Sequence, residues 1–413
     1  MRFIGVDFDF GALRSAGPRY WRFVALLGIL ASLFLAGVAV LIGNGGVVMA
    51  MRDPYPWGLW FILYMFYVGL SAGGLAVYAS VHLFGAEQFR PLSRFAVLMA
   101  GVLVMCALIG LLSDHVEFLW RLRWFMLTPN FTSAFIFTGS AAAIYMIICF
   151  VDLWVMITGT GGHKLAFRMT LIALPFAIYL HTTTAFVLAM NKSRELWHTT
   201  MMVPIFLTSA TASGIALLLI FAYILQKFGG YRFKPSMFRS LSTLLATVMI
   251  IDLFLLVVEI LFIYWPTSAM PGHVMRMNDF VKLGGTYARV FLPVLVLGFT
   301  AFGLLARRST RHLPAVQLTA ASLYVLAVFL KRYSLDVMGF SQSTLFQETR
   351  FYVPSPVEVL MGVGILALGV LIVTLAVKVL PMEEPEEAHA EDSEAAPAVV
   401  TAGSRPAHEG GVA

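Results

Sequence analysis

The sequence predicts an all-α polytopic membrane protein of about ten transmembrane helices, arranged as two four-helix bundles (helices 2–5 and 6–9) with helices 1 and 10 flanking them. Three observations predict this. Of 413 residues, 60% are hydrophobic and 12% charged, and the mean hydropathy is +0.85. A water-soluble chain of this length has too much surface to hide so much apolar side chain, whereas a bilayer is itself an apolar solvent. Ten apolar stretches also reach the roughly 20 residues that a helix needs to cross about 30 Å of hydrocarbon. Finally, Lys and Arg concentrate in alternate loops, the pattern that orients membrane helices.

The expected spans are 21–43, 57–84, 95–118, 131–157, 166–190, 198–225, 240–265, 285–305, 314–333 and 357–380. Within hydrocarbon only helices and closed barrels satisfy their own backbone groups, and runs this long are helices. The first apolar stretch is too long for a signal-peptide core and lacks a convincing small-residue cleavage site, so it reads as a retained helix. The ninth is the weakest and ends in Lys331 and Arg332. Residues 1–20 are expected to form a cytoplasmic segment and 21–380 the transmembrane domain. The stretch 381–413, opening Met382-Glu383-Glu384-Pro385 and rich in Ala, Pro, Gly and Glu, is expected to be a disordered cytoplasmic tail.

The N-terminus and the loops after helices 2, 4, 6 and 8 hold 15 Lys and Arg, against 11 on the opposite side. The bias places both termini in the cytoplasm of a bacterial inner membrane. The net charge of +6 therefore reports topology rather than nucleic-acid binding. Cys106 and Cys149 lie in apolar runs without a CxxC or CxxCH pattern, which excludes an iron–sulfur cluster or attached c-type haem. A b-type haem needs two facing histidines at one depth, and His181 and His115 are the only plausible pair. No haem or metal is expected in this chain.

An internal repeat underlies the two-bundle expectation. Trp57 to Ala76 ends Ser71-Ala72-Gly73-Gly74-Leu75-Ala76, and Trp197 to Ala216 ends Thr211-Ala212-Ser213-Gly214-Ile215-Ala216, an offset of 140 throughout. Small residues at one depth let helices approach closely.

An ionisable group inside a membrane is costly, so each one is a candidate for function. Helix 5 carries Tyr179, His181, Thr182, Thr183 and Thr184 in its outer half; helix 3 ends with Ser113, Asp114, His115 and Glu117; helix 7 holds Asp252 and, two turns on, Glu259. Lys331, Arg332, Trp197 and His198 lie at similar depth, although Lys331 and Arg332 also suit snorkelling to the interface and Trp197 and His198 an aromatic belt. Such a set suits a quinone, whose carbonyls need hydrogen-bond donors and whose two-electron chemistry moves two protons. The expected quinone-binding residues are His181, Asp114, His115, Glu117, Thr182, Tyr179 and Arg332. Catalytic proton handling falls to His181, Asp252 and Glu259, with Asp152 and His82 extending a proton path towards the cytoplasm.

Several motifs in order resemble the NrfD/PsrC family of polysulfide-reductase-type membrane subunits. They are Pro56-Trp57-Gly58-Leu59 with Gly69-Leu70-Ser71-Ala72-Gly73-Gly74, then Pro129-Asn130-Phe131-Thr132-Ser133, then His181-Thr182, Trp197-His198 and Ser213-Gly214. The ten-helix count is similar to the longer branch, with subunits of menaquinone reductase complexes and alternative complex III. The resemblance covers most of 50–380 and implies two four-helix bundles, no redox centre in this chain, and a menaquinone site near the periplasmic face. It also implies a periplasmic ferredoxin-like iron–sulfur partner with further catalytic or cytochrome subunits. His181 and the end of helix 3 are the positions carried over. Where many relatives have Leu-Gly-Arg-Pro, this chain has Leu112-Ser113-Asp114-His115. The alternative is a proton- or sodium-coupled secondary transporter, whose helices often break at midplane; Pro175, Pro204 and Pro293 keep that reading open.

Overall fold

The computed structural model describes residues 2–3, 5–53, 55–113, 122–194, 196–264, 286–340 and 352–382. Asp114, His115 and Glu117, and the tail beyond Met382, lie outside these residues. Among the described residues, ten helices are long and apolar enough to span a bilayer. They are α1 (Pro18–Asn44), α2 (Leu59–Phe84), α3 (Ser93–Ser113), α4 (Ala134–Thr158), α5 (Gly162–Ala189), α6 (Met202–Ile224), α7 (Pro235–Tyr264), α8 (Thr286–Ala306), α9 (Pro314–Phe340) and α10 (Pro356–Val379). A two-residue β-ladder pairs Arg2–Phe3 with Val6–Asp7 ahead of α1.

Helices α2–α5 pack in a closed ring, α2 on α3, α3 on α4, α4 on α5 and α5 back on α2; α6–α9 repeat the arrangement. The α1–α10 pair leans on α3 from outside. Local sequence explains the boundaries. Ser355 caps α10 in a reciprocal capping box with Glu358, with Pro356 in its first turn. Gly85 ends α2 and Gly159 ends α4 in the left-handed conformation that a side chain disfavours. Pro175 and Pro293 sit inside α5 and α8, and both helices continue through them.

The two rings meet along α2 and α6 at the repeated small residues. A Cβ on Gly73 would lie 2.0 Å from the Gly214 carbonyl carbon, and one on Gly214 would lie 2.3 Å from the Gly73 nitrogen. Main chain touches main chain there, near the middle of both helices, because neither residue has a side chain to hold them apart. At the end of the bundle where α2 and α6 begin, here the far end, Trp57 and Trp197 stack with centroids 5.3 Å apart and planes 7° from parallel. Trp57 and Trp197, related by the 140-residue offset, thus contact one another, while Gly73 meets Gly214 one residue out of that register.

One boundary differs from expectation. Helix α9 runs on to Phe340 rather than stopping near 333. Lys331 and Arg332 read in sequence as a helix end at the interface, but both are buried and held by polar side chains of α7 and α6. Neither snorkels.

Candidate functional site

The densest buried charge sits between α6, α7 and α9. Asp252, 2% exposed, accepts from Lys331 Nζ at 2.9 Å and from the Tyr324 hydroxyl at 2.8 Å. The Thr208 hydroxyl reaches the oxygen shared with Lys331 at 3.2 Å. An unpaired carboxylate inside hydrocarbon is expensive, and a charge partner with two hydroxyl donors offsets that desolvation. Tyr324 and Lys331 lie seven residues apart on α9, two turns, so one helix face delivers both.

Arg332, the next residue, faces the other ring. Its Nη2 donates to Ser209 Oγ at 2.7 Å, and its guanidinium lies 3.7 Å from the centroid of Phe206, a cation–π contact. Nε and Nη1 are buried with no hydrogen-bond partner among the described residues. A Cβ on Gly69 of α2 would come within 3.9 Å of Arg332 Nη2, so this guanidinium occupies the seam between the rings. His181 reaches the same seam from α5. Its Nε2 lies 2.9 Å from the Val68 carbonyl of α2, and its Nδ1 lies 2.6 Å from the Ala177 carbonyl of its own helix. Carbonyls only accept, so both bonds form together only with the doubly protonated imidazolium.

Glu259 lines a cavity of about 30 Å³ with Lys331, Leu256, Phe291, Ser334 and Met338, room for about one water. Lys331 thus links Asp252 to the Glu259 cavity, while Arg332 and His181 both reach the α2 main chain at Gly69 and Val68. Other expected members are placed elsewhere. Tyr179 turns out of the ring, 43% exposed, and packs edge-on against Phe176. Thr182 is half-buried. His198 is exposed and bonds the Ala189 carbonyl. Asp114, His115 and Glu117 fall outside the described residues.

A second polar group lies towards the near end of the first ring. The Tyr78 hydroxyl donates to Asp152 Oδ1 at 3.3 Å, and the His82 ring packs edge-on against Tyr78 at 4.6 Å. Above it, Tyr64, Thr138 and Thr184 form a hydroxyl chain, with Tyr64 3.1 Å from Thr138 and Thr138 3.0 Å from Thr184.

At the far end, Trp57, Trp197, Phe340, Phe61 and Phe135 make one aromatic cluster. Trp197 Nε1 donates to the Leu335 carbonyl at 2.8 Å, and the Tyr55 hydroxyl donates to the Val337 carbonyl at 3.1 Å. Beside them Glu358 accepts from the Tyr352 hydroxyl (2.6 Å) and the backbone of Ala50 (3.1 Å) and Ser355 (2.6 Å). Burial, then the Glu358 carboxylate, holds the Tyr352 hydroxyl above the usual tyrosine range. Asp336 is fully buried, with no partner for either carboxylate oxygen among the described residues. Sequence reasoning missed Thr208, Tyr324, Asp336 and Glu358. For Asp336 a signal was present, since it follows Arg332 by one helical turn.

These features define a helical multi-pass membrane protein whose two similar rings share a seam and whose buried charges belong mainly to the second. Residues 47–342 match the family model described as polysulphide reductase, NrfD. The chain belongs to the NrfD family. It is 25% identical to a putative dimethyl sulfoxide reductase membrane subunit of Halobacterium salinarum, over 89% of this chain and 93% of that protein. It is 25% identical to an Hdr-like menaquinol oxidoreductase integral membrane subunit of Archaeoglobus fulgidus (87% and 94%). It is 24% identical to a selenate reductase subunit of Mesobacillus selenatarsenatis (89% and 94%).

Proposed function

We propose that this chain is the quinone-binding membrane subunit of a respiratory oxidoreductase complex. Three relatives covered almost end to end carry the names of reductase or oxidoreductase subunits, two of them membrane subunits and one of these from a menaquinol oxidoreductase. The observation that carries the reading is the buried Asp252–Lys331 pair, with Arg332 and His181 beside it at the seam. A membrane anchor has no need of such charges. Quinone chemistry needs both donors for the oxygens and groups that exchange protons.

In this reading menaquinone enters at the far end, which faces the periplasm, and both termini lie in the cytoplasm. The aromatic cluster of Trp57, Trp197 and Phe340 offers the apolar wall a ring and prenyl tail require. Arg332 supplies unused N–H groups. For His181 to contact the quinone, it releases the Val68 carbonyl. Asp252 and Glu259 handle protons near Lys331, while Asp152 and His82 form the cytoplasmic approach. A periplasmic ferredoxin-like iron–sulfur subunit exchanges electrons with the quinone. The transporter alternative loses its specific support in α5 and α8, which continue through their prolines.

Purification of the complex tests this. Iron–sulfur absorbance from a partner and bound menaquinone are expected. A lone protein that moves a solute in liposomes overturns the reading. In the complex, Asp252→Asn is expected to slow proton-coupled turnover more than it weakens quinone binding. Equal loss of both gives Asp252 a structural role only. His181→Ala is expected to abolish quinone-coupled electron transfer while assembly survives, and unchanged turnover removes His181 from the site.

A further inference from the structure

Two ionisable side chains of α9, one turn apart, keep polar atoms without hydrogen-bond partners among the described residues. Arg332 and Asp336 are both fully buried. Among the described residues, Arg332 leaves Nε and Nη1 without partners, and Asp336 leaves both carboxylate oxygens without partners. Four residues of helix put them about 6 Å apart in rise and about 40° apart around the axis, so they share a face. At this spacing side chains normally meet. A direct ion pair is the cheapest way to neutralise both, and burying each alone costs several kcal/mol. That they stay apart is the informative observation.

The surroundings narrow what fits between them. A serine, an aromatic ring and a glycine flank Arg332: Ser209, Phe206 and the side-chain-free Gly69. Around Asp336 the main chain is gripped by aromatic side chains, Trp197 on Leu335 and Tyr55 on Val337. Among the described residues no basic side chain reaches the Asp336 carboxylate. A group bridging these two must accept hydrogen bonds from a guanidinium and donate one to a carboxylate. A carbonyl oxygen does only the first; an ammonium does only the second. A hydroxyl does both.

We propose that Arg332 and Asp336 together bind one hydroxyl of a hydroquinone, and that Asp336 makes the site prefer the reduced carrier over the quinone. This rests on the quinone-binding reading above. The hydroquinone O–H donates to Asp336 while its oxygen accepts from Arg332. The quinone keeps the Arg332 contact and sets its carbonyl lone pairs against the carboxylate. Asp336 is thus a specificity-determining residue, distinct from the Asp252–Lys331 pair.

The test uses the purified complex with a menaquinol analogue and the matching menaquinone analogue, their affinities measured separately. Wild type is expected to bind the reduced form more tightly. In Asp336→Asn the amide N–H donates to a carbonyl, so the preference is expected to fall by about tenfold or more, with quinone affinity maintained or raised, as a charge-assisted bond is lost. Asp336→Glu, keeping the carboxylate, is expected to retain part of the preference, and co-purification of partner subunits reports assembly of each variant. An assembled Asp336→Asn complex with unchanged preference overturns the proposal and leaves the quinone-binding function standing. So does a map of the complex showing a water bridging Arg332 and Asp336 with quinone elsewhere. Failure of wild type to bind either analogue overturns the function and the proposal together.

Discussion

The two rings share a plan and differ in what they bury. In α2–α5 the interior polar groups are a hydroxyl chain, Tyr64, Thr138 and Thr184, with His181 bonded to main-chain carbonyls and one buried carboxylate, Asp152, held by Tyr78. In α6–α9 the corresponding interior holds Asp252, Lys331, Arg332 and Asp336. Small residues at the seam occupy the same depth in both. Packing is therefore the part of the repeat that had to be kept, since backbone contact tolerates no side chain, while the chemistry on the scaffold diverged. Hydroxyls tune a ring at small energetic risk; buried charges make its stability and its function depend on the same few atoms.

Substitutions separate these two characters. The largest effect is expected for Lys331→Met, which strands Asp252 and should cost about 3–5 kcal/mol. Thermal unfolding of the detergent-solubilised complex reads this, and Asp252→Leu in the same chain should restore much of the loss. If the single variant is as stable as wild type, the second ring does not depend on its charges. Next comes Gly73→Val, whose side chain meets the Gly214 backbone; overpacking of this kind costs about 1–3 kcal/mol or more. Gly303→Ala, where a Cβ meets nothing within 4 Å, is the neutral control. At the far end, Trp197→Phe loses the bond to the Leu335 carbonyl and should cost about 1 kcal/mol, more than Trp57→Phe, for which no such bond is seen. The smallest effect belongs to the hydroxyl ring. Thr138→Val should lower stability by about 1 kcal/mol or less without changing quinone turnover. A large activity loss there would erase the contrast between the rings.

Much of the architecture was legible because the bilayer leaves few options. Ten apolar runs read as ten helices, and the 140-residue offset marked small residues at one depth of helices 2 and 6, though not that these would meet each other. Asp252 stood out as a carboxylate deep in an apolar run. Its partners did not. Lys331 sits in the last third of α9, where a long cationic side chain ordinarily reaches water, and only the packing of α7 against it shows otherwise. Tyr324 and Thr208 are unremarkable in sequence, because hydroxyl residues occur throughout membrane helices. Tyr179 misled for a geometric reason. It lies two residues from His181, about 200° around the helix, so the two side chains leave on nearly opposite sides. Asp336 and Glu358 were passed over because they flank expected helix ends, where carboxylates are usually wet.

The glycine crossing also constrains how the molecule works. With main chain against main chain at Gly73 and Gly214, neither half has slack to tilt or slide past the other near its centre. Opening the protein alternately to the two faces of the bilayer by rocking its halves would have to tear this crossing apart. Any motion between the two halves therefore either keeps these two glycines in contact or breaks main-chain packing at the centre.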